Sequence, residues 1–119
     1  MDQLQFAIAQ GSTPRVELLL PFSMPSGTIA FATFAQNNTA VLEFGMNGTP
    51  TEAIAGAGTL TKDAEDSSML VLEMTQEDTL ALKPGDAELQ VRVKTNDGAD
   101  TFFPIPGVII KAIKPGVIL

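Results

Sequence analysis

The sequence predicts an all-β domain, an antiparallel sandwich of two sheets built from about seven or eight short strands and one helical turn. Three observations predict it. Apolar residues recur at every second position through much of the chain, the period of a strand with one buried and one wet face. Clusters of Asn, Gly and Pro separate these stretches at turn spacing. The stretch from Thr75 to Leu80 carries a helix-capping pattern for one short turn. The same strand signals also serve a small closed barrel, the second architecture they allow.

Residues 2–8 alternate Leu4, Phe6 and Ile8 with Gln3, Gln5 and Ala7, a first strand ended by Gln10-Gly11-Ser12. The next run, RVELLLPF from Arg15 to Phe22, is more continuously apolar and reads as a central strand covered on both faces, closed by Pro21, which has no N–H for a ladder. After the turn Met24-Pro25-Ser26-Gly27, residues 28–36 place Ile29, Phe31 and Thr33 on one face and Ala30, Ala32 and Phe34 on the other. Asn37-Asn38 tolerates left-handed backbone and makes a hairpin to residues 39–45, with Leu42 and Phe44 pointing inward. Residues 45–58 hold four glycines and little periodicity, a long loop with one weak segment around Ala53 to Ala55. A short strand is expected in 57–62, and Asp63-Ala64-Glu65-Asp66-Ser67 is a charged loop tip.

The best-specified stretch is 69–98. Leu70, Leu72 and Met74 share one strand face. Thr75 stands three residues before Asp78, so its hydroxyl can cap one helical turn and the carboxylate can answer it. Lys83-Pro84-Gly85-Asp86 ends that turn, because Pro84 fixes φ and Gly85 permits a left-handed residue. Leu89, Val91 and Val93 then alternate with Glu88, Gln90, Arg92 and Lys94, and Asp97-Gly98 supplies the positive φ angles of a two-residue hairpin. Residues 100–113 are strand-like but punctuated by Pro104 and Pro106, so the first half is an edge strand or bulges away from one, and the second, Val108 to Ile113, is a β-branched strand. Lys114-Pro115-Gly116 leads into Val117-Ile118-Leu119. The expected organisation is one sandwich domain, 1–119, with a short apolar tail, 115–119.

Composition narrows the chemistry. The chain has 119 residues, no cysteine, no histidine, no tryptophan and no tyrosine, and a net charge of −7. A domain of this length buries roughly two-thirds of its unfolded surface and folds without staples. The acidic excess sits in 57–82, where Lys62 stands against Asp63, Glu65, Asp66, Glu73, Glu77 and Asp78. That balance opposes binding to phosphate backbones or anionic membranes. No run reaches the 18 or so apolar residues of a spanning helix, and the first ten residues lack the basic start and apolar core of a signal peptide, so synthesis in the cytoplasm is expected. The side chains most used as neutral-pH bases, thiol nucleophiles and imidazole ligands are missing, and no catalytic or cofactor-binding residue is assigned. Asp63, Glu65 and Asp66 offer oxygens to calcium without matching an EF-hand, and an ordinary solvated loop has the same composition; no metal site is assigned. The glycine-rich stretches lack the Lys-Ser/Thr of a phosphate loop.

What remains is apolar surface. Val117-Ile118-Leu119 either closes one more strand on the sandwich or docks on a neighbouring copy or another protein, and the edge in 101–106, blunted by prolines, is either a contact or protected against aggregation; on the contact reading Phe102, Phe103, Ile105, Val117, Ile118 and Leu119 are the candidate interface residues. Set together, Leu72, Thr75, Asp78, Thr79, Leu80, Leu82, Pro84, Gly85, Leu89, Val91, Val93, Asp97 and Gly98, followed by Val108 and Ile110, form a strand, a T-x-x-D-T-L turn, a Pro-Gly turn, an alternating strand and a D-G turn. This pattern, over residues 69–114, resembles the C-terminal half of small proteins encoded in tail and baseplate regions of bacteriophages and prophages. Where those proteins often have Gly-x-Tyr, this chain has Gly85-Asp86-Ala87. The resemblance implies an immunoglobulin-like β-sandwich similar to the N-terminal domain of phage upper-baseplate proteins. It also implies a non-enzymatic virion subunit of the tail or baseplate region, made in the host cytoplasm and then carried in the virion. Its partners would be other copies of itself, as a homo-oligomer, and other virion proteins, with no nucleic acid and no membrane. The alternative is a carbohydrate- or surface-binding sandwich using the loops 46–52 and 63–68.

Overall fold

The computed structural model describes residues 6–102 and 104–112. In chain order these form β1 (Phe6–Ala9), β2 (Arg15–Leu19), β3 (Ile29–Gln36), β4 (Thr39–Met46), a 3-10 turn (Glu52–Ile54), β5 (Thr59–Lys62), β6 (Met69–Glu73), α1 (Gln76–Ala81), β7 (Gly85–Thr95), β8 (Gly98–Thr101) and β9 (Ile105–Ile110). The larger sheet runs β1-β9-β7-β3-β4, with β8 also paired to β7, and the smaller runs β2-β6-β5. Two separate sheets make a sandwich, not a closed barrel. The distribution of strands is that of an immunoglobulin-like domain, B-E-D packed against G-F-C-C′. The expected fold class is therefore the observed one. No helix among the described residues is long and apolar enough to cross a membrane.

The inward faces follow the alternation. Ala30, Ala32 and Phe34 of β3, Leu42 and Phe44 of β4, and Leu89, Val91 and Val93 of β7 are buried from the larger sheet. Leu18 of β2, Leu60 of β5 and Leu70 and Leu72 of β6 meet them from the smaller one. Phe34 sits at the centre, edge-on to Phe6 at 5.8 Å and to Phe44 at 6.4 Å. Burying one such side chain stabilises the fold by roughly 1.5–3 kcal/mol, and edge-to-face contacts add to it.

Local turn chemistry also acts as its residues dictate. Asn37 and Asn38 adopt φ of 53° and 60°, closing the β3–β4 hairpin. Thr75 and Asp78 form a complete capping box at the start of α1, and Gly85 opens β7 at φ 119°. The β7–β8 hairpin exists, but its loop is displaced by one residue. Thr95 pairs with Gly98, so Asn96-Asp97 is the loop and Gly98, at φ 133°, is already the first strand residue. There the positive φ starts the returning strand.

Two pairings lie outside what alternation predicts. β1 runs parallel to β9, with Phe6 opposite Gly107 and Ala9 opposite Ile110. The reason is the short link through Gly11 to Pro14, which carries the chain from one sheet to the other and so prevents a β1–β2 hairpin. Second, β8 and β9 lie one after the other along the same flank of β7, against Arg92 to Thr95 and Gly85 to Leu89. The break falls at Pro104, which has no N–H to give.

Candidate functional site

Among the described residues four polar ones are buried, Thr28, Glu43, Asp78 and Thr79, and each holds the fold together. Asp78 on α1 accepts hydrogen bonds from the backbone N–H groups of Ala57 at 2.7 Å, Gly58 at 2.9 Å and Thr75 at 2.9 Å. The carboxylate that caps the helix therefore also fastens the β4–β5 loop. Gly58 is required there, because a Cβ would run into the Glu73 carbonyl. Thr79 donates to the Ser12 carbonyl and accepts from the Gly11 N–H, both at 2.9 Å, tying α1 to the link between β1 and β2. Thr28 donates to the Pro25 carbonyl at 2.7 Å and closes its own turn.

Glu43, on the outer face of β4, is 5% exposed. One carboxylate oxygen accepts from the Thr51 N–H at 3.0 Å; the other accepts from the Thr33 hydroxyl at 2.8 Å and from Arg92 at 3.3 Å. Arg92 also lies 5.3 Å above the Phe31 ring. This cluster pins the loop after β4 onto the larger sheet. Sequence reasoning missed it, because alternation assigns Glu43 to the wet face and only the returning loop covers it.

The loops 46–52 and 63–68 are drawn to one end of the sandwich. Asn47 donates to the Thr28 carbonyl at 2.9 Å, and the Met24 N–H donates to the Ser67 carbonyl at 2.8 Å. Asp63 accepts from the N–H groups of Glu65 and Asp66, and Asp66 from that of Ser68, so these carboxylates shape their own turn. The cleft between Pro25 and Asn96 at that end is about 100 Å³, well under the roughly 300–1,000 Å³ of a small-molecule pocket. Among the described residues no group of three or more Asp and Glu is placed to hold a metal ion.

The open side of the molecule is different. Among the described residues β2 is an edge strand of the smaller sheet, paired with β6 alone, and this corrects its expected place as a central strand covered on both faces. Strand parity is the reason: Leu18 and Leu20 turn inward, whereas Leu19 between them is 72% exposed. A run of three leucines hides that alternation. Arg15 and Glu17 share the outer face with Leu19, hydrogen-bonded to each other and about half exposed, with Asp63 3.7 Å from Arg15. The hydrogen bond to Glu17, ahead of the nearby carboxylate charges, holds the Arg15 guanidinium above its usual pKa.

Beside β2 runs a groove of about 200 Å³ walled by Leu18, Leu20, Val91, Phe102 and Ile105. Two of the predicted interface residues are thus brought together here. Phe102 donates its N–H to the Val91 carbonyl at 2.9 Å and stacks on Phe22 at 6.3 Å, and Ile105 begins β9 opposite Leu89. Both are half-buried rather than free-standing. Phe103, Val117, Ile118 and Leu119, with the tail 115–119, lie outside the described residues.

No protein-family model matches the chain, and no curated protein matches it in sequence. Solved structures do resemble it. The crystal structure of CopC from Methylosinus trichosporium OB3b superposes with a TM-score of 0.53 at 13% identity, over 91% of this chain and 87% of that one. The solution structure of the first Ig-like domain of human CD48 antigen gives 0.41 at 18% identity, over 98% and 88%. At such identities the CopC likeness is one of fold.

Proposed function

We propose that this chain is a non-enzymatic assembly subunit of a phage or prophage virion, in the tail or baseplate region, and that it works through protein–protein contacts. The observation that carries the reading is the open β2 edge. A strand edge that no other strand covers among the described residues, with an outward leucine and an apolar groove at Phe102 and Ile105 beside it, is surface suited to another protein chain. The buried carboxylates and hydroxyls are already committed to holding loops, which leaves the chemistry of contact as the main resource of the molecule. The virion setting rests on the T-x-x-D-T-L and Pro-Gly pattern of residues 75–85 and the strand that follows.

The test is composition of particles. Phage particles are induced from a host carrying the gene, banded by density and digested for mass spectrometry. Peptides of this chain at levels comparable to known tail proteins support the reading. A chain abundant in the lysate but missing from banded particles overturns it.

A further inference from the structure

We propose that the free edge of β2 binds a second copy of the chain, the two β2 strands pairing antiparallel across a two-fold axis with Arg15 opposite Glu17 of the second copy. The inference rests on the assembly reading above and gives it a surface and a register.

Backbone direction comes first. The Leu20 N–H donates to the Ser68 carbonyl and the Met74 N–H to the Pro14 carbonyl, at either end of the β2–β6 pairing. With Val16 opposite Leu72 and Leu18 opposite Leu70, the even-numbered residues of β2 direct their N–H and C=O groups at β6. Thr13, Arg15, Glu17 and Leu19 direct theirs away, and among the described residues no strand meets them. A strand added there must therefore oppose odd residues with odd ones.

Side chains then select one register. A pairing centred on Glu17 sets two carboxylates face to face, and one centred on Arg15 sets two guanidinium groups face to face; directly opposed like charges are unfavourable. Centring on Leu18 places Arg15 opposite Pro21, which lacks the N–H the ladder needs. Centring on Val16 opposes Arg15 with Glu17 at two symmetric positions and Leu19 with Thr13. Arg15 and Glu17 are already in contact within one chain and half exposed, so the four groups complete a ring of alternating charge. Leu19 gains cover at both ends of the ladder. The main-chain bonds supply affinity and the charges fix register. The result is a closed two-fold pair whose smaller sheets join as β5-β6-β2-β2-β6-β5.

Sedimentation of the full chain over a concentration series at low salt tests the proposal. Wild type should pass from monomer to dimer. Arg15→Glu and Glu17→Arg should each weaken association by about tenfold or more. An equimolar mixture of these two variants should recover it, because each then meets the opposite charge, and recovery also shows that both are folded. Glu17→Pro removes an outward N–H that β6 does not use, and should give a monomer that melts like the wild type at concentrations where the wild type is itself monomeric. A wild type that stays monomeric at every concentration, variants that dimerise like wild type, or a mixture that fails to recover overturns the pairing. A monomer that is nevertheless found in banded particles sinks this inference and leaves the assembly reading standing. A charge-dependent dimer missing from particles does the reverse.

Discussion

The two flanks of the smaller sheet make opposite use of their polar groups. On the β5 flank, the carboxylate of Asp78 takes up three backbone N–H groups from two different loops, and Thr79 binds a third segment. On the β2 flank, the outward N–H and C=O groups of Arg15, Glu17 and Leu19 meet no strand among the described residues, and Leu19 is 72% exposed. One flank is closed by side chains reaching over long sequence separations; on the other, among the described residues, the outward main-chain groups are left without a partner strand. The contrast separates what keeps the domain folded from what it has to offer a neighbour.

Substitutions can break that contrast or sharpen it. Asp78→Ala strands three donors in a buried place, each costing about 1–3 kcal/mol if it finds no water, so a net loss of about 3 kcal/mol is expected in urea denaturation. Thr75→Ala removes only the hydroxyl that caps α1 and should cost about 1 kcal/mol, leaving the Asp78 hold on Ala57 and Gly58 intact. The difference between these two losses measures the clamp separately from the cap. Leu19→Ser should change stability by less than about 0.5 kcal/mol, since the side chain is mostly in water already. A loss above about 1 kcal/mol there would mean that the β2 flank is closed after all.

These regions also differ in how far they can be read from the chain. The capping box was legible because both partners lie within three residues, and so were the Asn37-Asn38 turn and the burial of Leu89, Val91 and Val93. The second task of Asp78 was not, since Ala57 and Gly58 lie some 20 residues away and nothing local marks them as donors. The burial of Glu43 was not legible either, because alternation cannot foresee a loop folding back over the outer face of a sheet. β2 was misplaced for a related reason: hydrophobicity reports how many faces are covered, whereas edge position depends on which strands take the other places in the sheet. The fold class therefore emerged from summed local signals, while the candidate contact surface depends on sheet order. Of the predicted contacts, Phe102 and Ile105 were found next to that surface because the prolines beside them signal an interrupted edge.

The parallel pairing of β1 with β9 has a mechanical consequence. The chain enters β1 at one end of the pair and leaves β9 at the other, so a pull on the outer ends of these strands drags them past each other lengthwise. All four opposed positions, from Phe6 against Gly107 to Ala9 against Ile110, are then loaded together instead of unzipping one by one. Stretching between residues 6 and 110 should give a higher rupture force than stretching across the β3–β4 hairpin, whose rungs open in sequence. For a domain under tension, these two short strands at the start and finish of the described chain are the latch.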